Sequence, residues 1–360
     1  MFRLLVLLLL ALPALSAQNA SAPTLQPRPA ETSARPPDGA DRQITLEVQV
    51  TDKSGTPVRG LQKQDFNVLD DKRPQNILSL HAVDSAAGSP TDPPVEIVLV
   101  VDAVNASFHA VTYERTELKK FLLQNGGQLA QPVSLVIFSD AGTQIQSGSS
   151  RDGNALAALY DQYRTGLRWN GRAQGFHGAA ERFNLSIKTL IQLVENEGKK
   201  PGRKLMIWFS PGWPLLSGAE AEITRKDGQN FFNSIVTVSN KLRQGHITLY
   251  SIDPLGLADA GGVRISLYQE FLKGVSSPQR ARPGDLGLQV LAVQSGGRVF
   301  NSSNDITTEI AKCAADADAS YVLSFDSARA DEVNEYHSIA VTVDKPGITA
   351  RTRTGYYAQP

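Results

Sequence analysis

One cysteine, Cys313, stands in 360 residues, so no internal disulfide can form and no paired-cysteine metal or redox motif exists. Lys and Arg number 36 and so do Asp and Glu, giving a formal net charge of zero. Neither a basic stripe nor an acidic tail accompanies that balance, which argues against nucleic acid as the partner. After the first 17 residues, no stretch is long and apolar enough for a transmembrane helix. The G-x-S-x-G elbow, the H-E-x-x-H pair and the Walker A loop are all missing. Five histidines (His81, His109, His177, His246 and His337) are scattered without metal-ligand spacing.

The N-terminus supplies an address. Arg3, the apolar run Leu4 to Leu12 and a small-residue cleavage site at Leu15-Ser16-Ala17 follow the order of a secretory signal peptide, expected over residues 1–17. The run is too short to span a bilayer; an uncleaved anchor is the alternative. Export without disulfides fits a bacterial envelope, with the protein periplasmic, secreted or on the cell surface. Residues 18–42 are rich in Ala, Pro, Ser and Gln. They cannot bury enough surface to offset ordering entropy, and are expected to be a disordered tether.

Residues 43–83 read as a small β module. Ile44, Leu46, Val48 and Val50 alternate with polar residues, and shorter apolar runs follow at Phe66–Leu69 and Ile77–Leu80. A Pro/Gly/Ser/Asp linker covers residues 84–94. The pattern then changes. Glu96–Val101, Val133–Phe138, Lys204–Phe209 and His246–Ile252 are nearly continuous apolar runs, as in parallel strands covered on both faces. Amphipathic helical stretches separate them, the clearest with Phe183, Ile187, Leu190, Ile191 and Val194 on one face. Gly297–Phe300 starts a fifth strand, and Asp305–Ala317 reads as a helix that buries Cys313 as a small apolar residue. Strand alternating with helix predicts an α/β fold with a doubly wound, mostly parallel sheet over residues 95–320. Three strands are expected in residues 321–360, at Tyr321–Phe325, Ser338–Val343 and Ile348–Thr354. These are expected to pair with the N-terminal strands as one accessory all-β module.

Several blocks resemble the VWFA-related domain family of Acidobacteria. They are Asp102-Ala103-Val104-Asn105-Ala106-Ser107-Phe108, Pro201 to Ser210, Leu249 to Leu257, Gly296 to Asn301 and Arg353 to Ala358, preceded by Val50-Thr51-Asp52 … Asp65-Phe66. The resemblance spans about residues 44–358 and implies a von Willebrand factor A-type core. Such domains often hold Mg²⁺ or Ca²⁺ through D-x-S-x-S, a Thr and a second Asp, because a hard cation needs several oxygens. Asp102 matches. Val104 and Ala106 occupy the two serine positions, Pro211 stands where the second Asp belongs, and the expected loop from Gly175 to Arg182 has no Thr. A degenerate, metal-free site is the expectation, without a cofactor. A variant Ca²⁺ or Mg²⁺ site through Asp102, Asn105 and Ser107 is the alternative. Asn105 and Ser107 also read as caps of the following helix, and Asp102 as a loop acid that binds nearby backbone N–H groups.

In open α/β sheets, ligands sit beyond the carboxyl ends of the strands. The candidate ligand-binding face is therefore Asp102, Asn105, Ser107, Trp169, Ser210 and Trp213, with no catalytic residue assigned. Trp169, Phe176 and His177 fall in a Gly/Arg-rich stretch read as a loop, Gly166 to Gly178. The segment Leu255 to Gly284, with Arg264, Arg280 and Arg282, is a possible second contact surface. The expected function is non-enzymatic adhesion-type binding of another protein or cell-surface component. A serine hydrolase using Ser107 and His109 is a rival from a different class.

Overall fold

The structure, a computed structural model, describes residues 42–84, 95–163, 175–214, 216, 224–256 and 267–360. The expected signal peptide, nearly all of the tether, most of the linker, Trp169 and Arg264 lie outside the described residues.

The N-terminal strands are β1 (Gln43–Asp52), β2 (Phe66–Asp70), β3 (Arg73–Gln75) and β4 (Ile77–Asp84). The middle of the chain alternates. It runs through β5 (Glu96–Asp102), α1 (Phe108–Leu122), β6 (Gln128–Ser139), β7 (Gly142–Ile145), β8 (Ser150–Asp152), α2 (Gly153–Gln162) and α3 (Gly175–Glu197). It continues as β9 (Lys204–Phe209), α4 (Arg225–Gln244), β10 (Ile247–Ile252), α5 (Leu288–Gln294), β11 (Val299–Phe300) and α6 (Ile306–Ala314). The C-terminal strands are β12 (Ala319–Asp326), β13 (Glu335–Val343), β14 (Ile348–Arg351) and β15 (Gly355–Ala358). Among the described residues, no helix is long and apolar enough to cross a membrane.

The central sheet has the order β11-β10-β9-β5-β6-β7, with β8 also on β6. Strands β11, β10, β9, β5 and β6 are parallel; β7 and β8 run antiparallel to β6. Every residue of β5, β9 and β10 is buried, which is why these strands read as unbroken apolar runs. One face packs Val98, Val100, Met206 and Trp208 against α3, α4 and α5. The other packs Ile97, Leu99, Leu205 and Ile207 against α1, α2 and α6, with Cys313 fully buried.

Two antiparallel sheets, β14-β1-β12-β4 and β15-β13-β2-β3, combine strands from both ends of the chain. Their shared core includes Leu46, Val48, Phe66, Tyr321, Leu323, Phe325 and Tyr356. The Tyr321 hydroxyl ties the connecting segment in, accepting from Leu61 N–H at 3.1 Å and donating to Val58 O at 2.9 Å. Two sequence expectations need correcting here. The strand expected over Ile348–Thr354 stops at Arg351, and Gly355–Ala358 is a separate strand in the other sheet. Gly175–Arg182, expected as a loop, forms the first turns of α3 and carries Phe176 and His177.

Candidate functional site

The connections leaving β5 and β9 diverge at their carboxyl ends. The helix after β5, α1, covers one face of the sheet; the helix after β9, α4, covers the other. A doubly wound sheet opens its crevice at such a switch point. Asp102 closes β5 at this place, and Ser210 follows β9.

Asp102 is fully buried, and its oxygens face donors from the protein itself. Oδ1 accepts from the N–H groups of Val104 at 3.0 Å and Asn105 at 2.9 Å. Oδ2 accepts from Asn105 Nδ2 at 2.8 Å and from the indole Nε1 of Trp208 at 3.0 Å. Burial pushes the Asp102 pKa above the usual carboxylate range, although the bonds from Asn105 and Trp208 pull the other way. The carboxylate thus folds its own loop and braces β5 against β9.

Asn105 donates through the same amide to Ser186 Oγ on α3 at 2.8 Å, while its own Oδ1 is buried without a hydrogen-bond partner. Ser107 caps α1, its hydroxyl accepting from Ala110 N–H at 3.1 Å. The capping expectation therefore describes Ser107 and not Asn105. No hydrogen bond joins Ser107 to His109 among the described residues. Behind Asp102, Glu114 of α1 is also fully buried. Burial and the Asp102 charge push its pKa well up, and neither of its oxygens has a partner.

Three residues of the expected ligand face are not on a surface. Asp102 and Ser210 are wholly covered, and Trp213 is 3% exposed. Trp213 packs edge-on to Trp208 at 5.2 Å, and Trp208 packs edge-on to Phe138 at 6.0 Å. The reason is the apolar payload of indole: the turn after β9 brings Trp213 over an aromatic core, where burial outweighs presentation to a ligand. What does reach the surface is Ser107, Phe108 and His109. Phe108, the first residue of α1, is 62% exposed.

Sequence reading missed Trp208 and Phe108. A buried indole N–H needs an acceptor, and Asp102 is the carboxylate that ends a neighbouring apolar run, so the pair had a signal. The second expected surface is present in part. An open cavity of about 870 Å³ lies between the first turn of α4 and Pro278–Arg282, lined by Arg225, Lys226, Gln279 and Arg282 among others. Asp285 beside it is pushed up to about 6 by burial, which outweighs the Arg282 backbone bond and charge.

No protein-family model matches the chain, and no curated protein matches it in sequence. Solved structures give distant likenesses. The pilus adhesin SpaC from Lactobacillus rhamnosus GG aligns at 11% identity and a TM-score of 0.39, over 82% of this chain and 47% of the adhesin. The SpRpn10 VWA domain aligns at 12% identity and a TM-score of 0.30, over 61% of this chain and 94% of that domain. A PilB minor pilin variant from Streptococcus sanguinis aligns at 12% identity and a TM-score of 0.32, over 64% of this chain and 63% of the pilin. The chain spans about half the length of the adhesin it matches. At such scores these likenesses carry no functional argument, which rests on the site itself.

Proposed function

We propose that this chain is an exported, non-enzymatic binding module of von Willebrand factor A type. It takes a protein or cell-surface component at the carboxyl end of its central sheet without an ion at Asp102. The observation that supports this reading is the saturation of Asp102. Its two oxygens are engaged by four internal N–H donors. The flanking Val104 and Ala106 offer no side-chain oxygen to complete a cation shell.

Contact then falls to the exposed rim, with Phe108 as the anchor. An aromatic side chain that a partner pocket desolvates is a common hot spot. Crosslinking pull-down from the native envelope tests both parts. Capture of one defined partner is expected to survive EDTA, and Phe108→Ala is expected to weaken it by at least about 2 kcal/mol with an unchanged melting temperature. Loss of capture on chelation would reinstate the ion; wild-type capture by Phe108→Ala would remove the rim.

One observation favours the variant-ion reading: Asn105 Oδ1 is buried and without a partner. Calorimetry with Ca²⁺ and Mg²⁺ decides it, and we expect no saturable heat at millimolar metal. The hydrolase alternative is checked by an active-site serine probe, which is expected not to label Ser107.

A further inference from the structure

Among the described residues, one group of carboxylate and imidazole side chains has its ligand atoms within 4.8 Å of one another: Asp70, Asp71 and His337. It lies in the antiparallel sheets, away from the β5–β9 crevice. The chain order hides it, because β2 and β13 are neighbours only in the fold.

Asp70 ends β2, and Asp71 and Lys72 make the turn to β3 with φ of 46° and 65°. Two successive positive values are those of a mirror-image hairpin turn. Asp71 is then clamped to β13: its N–H donates to Ser338 O at 2.9 Å. Its Oδ1 accepts from the Ser338 N–H and hydroxyl, each at 2.8 Å. That leaves Oδ2 toward His337 Nδ1, 3.9 Å away. Asp70 Oδ1 is 2.9 Å from the same nitrogen. From β15, the Tyr356 hydroxyl is 3.3 Å from it and donates to Asp70 Oδ2 at 2.7 Å.

Three oxygens from three elements therefore surround one ring nitrogen. With the Asp70 carboxylate 2.9 Å away as acceptor, Nδ1 holds at most one hydrogen, and that hydrogen serves one good acceptor. The second carboxylate is surplus to a hydrogen bond and is what a cation shell would use. The imidazole side chain is 6% exposed and Asp70 2%. Nε2 of the ring has no partner, so its polar contacts are all within this group. Tyr356 stacks on the ring at 5.1 Å and holds its orientation. Asp71, 48% exposed on its side chain, leaves the group open to solvent.

We propose that Asp70, Asp71 and His337 bind one divalent transition-metal ion, with water completing the shell. The mixed nitrogen and oxygen donors favour a zinc-like ion over Mg²⁺ or Ca²⁺. Binding displaces the Nδ1 proton, which leaves to solvent. The ion would clip together residues 267 positions apart in a chain that has no disulfide. Fixing so long a loop removes conformational freedom from the unfolded chain.

The full chain, stripped of metal by chelation and dialysis, is titrated with zinc sulfate by calorimetry and melted with and without zinc. One equivalent is expected to bind and to raise the melting temperature. Asp71→Asn, at an exposed position, is expected to weaken binding by at least about tenfold, and His337→Gln to abolish it. No saturable heat, or zinc binding that Asp71→Asn leaves unchanged, overturns the site. Asp71→Asn decides alone where His337→Gln does not fold. EDTA would strip this ion too, so the pull-down is repeated with Asp71→Asn, which separates loss of the clip from loss of an ion at Asp102.

Discussion

At the scale of single residues, buried carboxyls decide the behaviour of this protein. Asp102 is tolerated in the core because four N–H donors surround it; a buried charge without them would cost several kcal/mol. Glu309 has fewer supports. It is 3% exposed, its Oε2 has no partner, and burial pushes it up to about 7, with Lys312 pulling down and Asp305 and Asp253 pushing up. A carboxyl raised on folding favours the folded state fully below its unfolded pKa. That contribution is lost as pH climbs through the folded value. Unfolding free energy from urea titrations is therefore expected to decline as pH rises from 4.5 to about 7. Glu309→Gln is expected to flatten that decline, and an unchanged slope would clear Glu309 of responsibility.

At the scale of elements, caps and turns set where each helix delivers its residues. Ser107 ends the Asp102 loop and starts α1, so the cap also fixes Phe108 at the rim. Ser107→Ala is expected to cost about 1 kcal/mol in a thermal melt, with a larger loss of partner capture than Asp102-distant caps such as Thr224→Ala produce. Equal effects on capture would show that the rim does not depend on this cap. The elements were unequally legible. Lys204–Phe209 was readable to the residue because a strand buried on both faces is nearly unbroken apolar sequence, here from Leu205 onward. Strands β7 and β8, Gly-Thr-Gln-Ile and Ser-Arg-Asp, were not expected. They are short, polar edge pieces held by pairing with β6, and periodicity gives no signal over three or four residues.

At the scale of the whole molecule, the ends of the chain are part of its middle. Tyr357 of β15 lies in the core of the central sheet, edge-on to Phe232 of α4 at 6.0 Å. Arg351 of β14 pairs with buried Asp316, which also accepts from Tyr250 OH at 2.7 Å and from Arg298 at 3.2 Å. Glu47 of β1 meets Arg203 and His246 at the base of the central strands. Truncation after Val343 removes β14 and β15. It is expected to lower the melting temperature of the central body together with that of the antiparallel sheets. Hydrogen exchange that leaves β5, β9 and β10 protected as in the full chain would contradict this coupling.

Local pattern determined the alternation of strand and helix, the burial of Cys313 and the place of Asp102 at a strand end. Those are consequences of periodicity and of backbone groups seeking partners within a few residues. Only the tertiary structure decided what Asp102 touches, that Trp213 is core and not surface, and that His337 meets Asp70 and Asp71. Each of these depends on strands paired across long separations. The donors that satisfy a buried group, or surround an ion, come from wherever the sheet register puts them, and that register is set by burial of whole faces and not by neighbours in sequence.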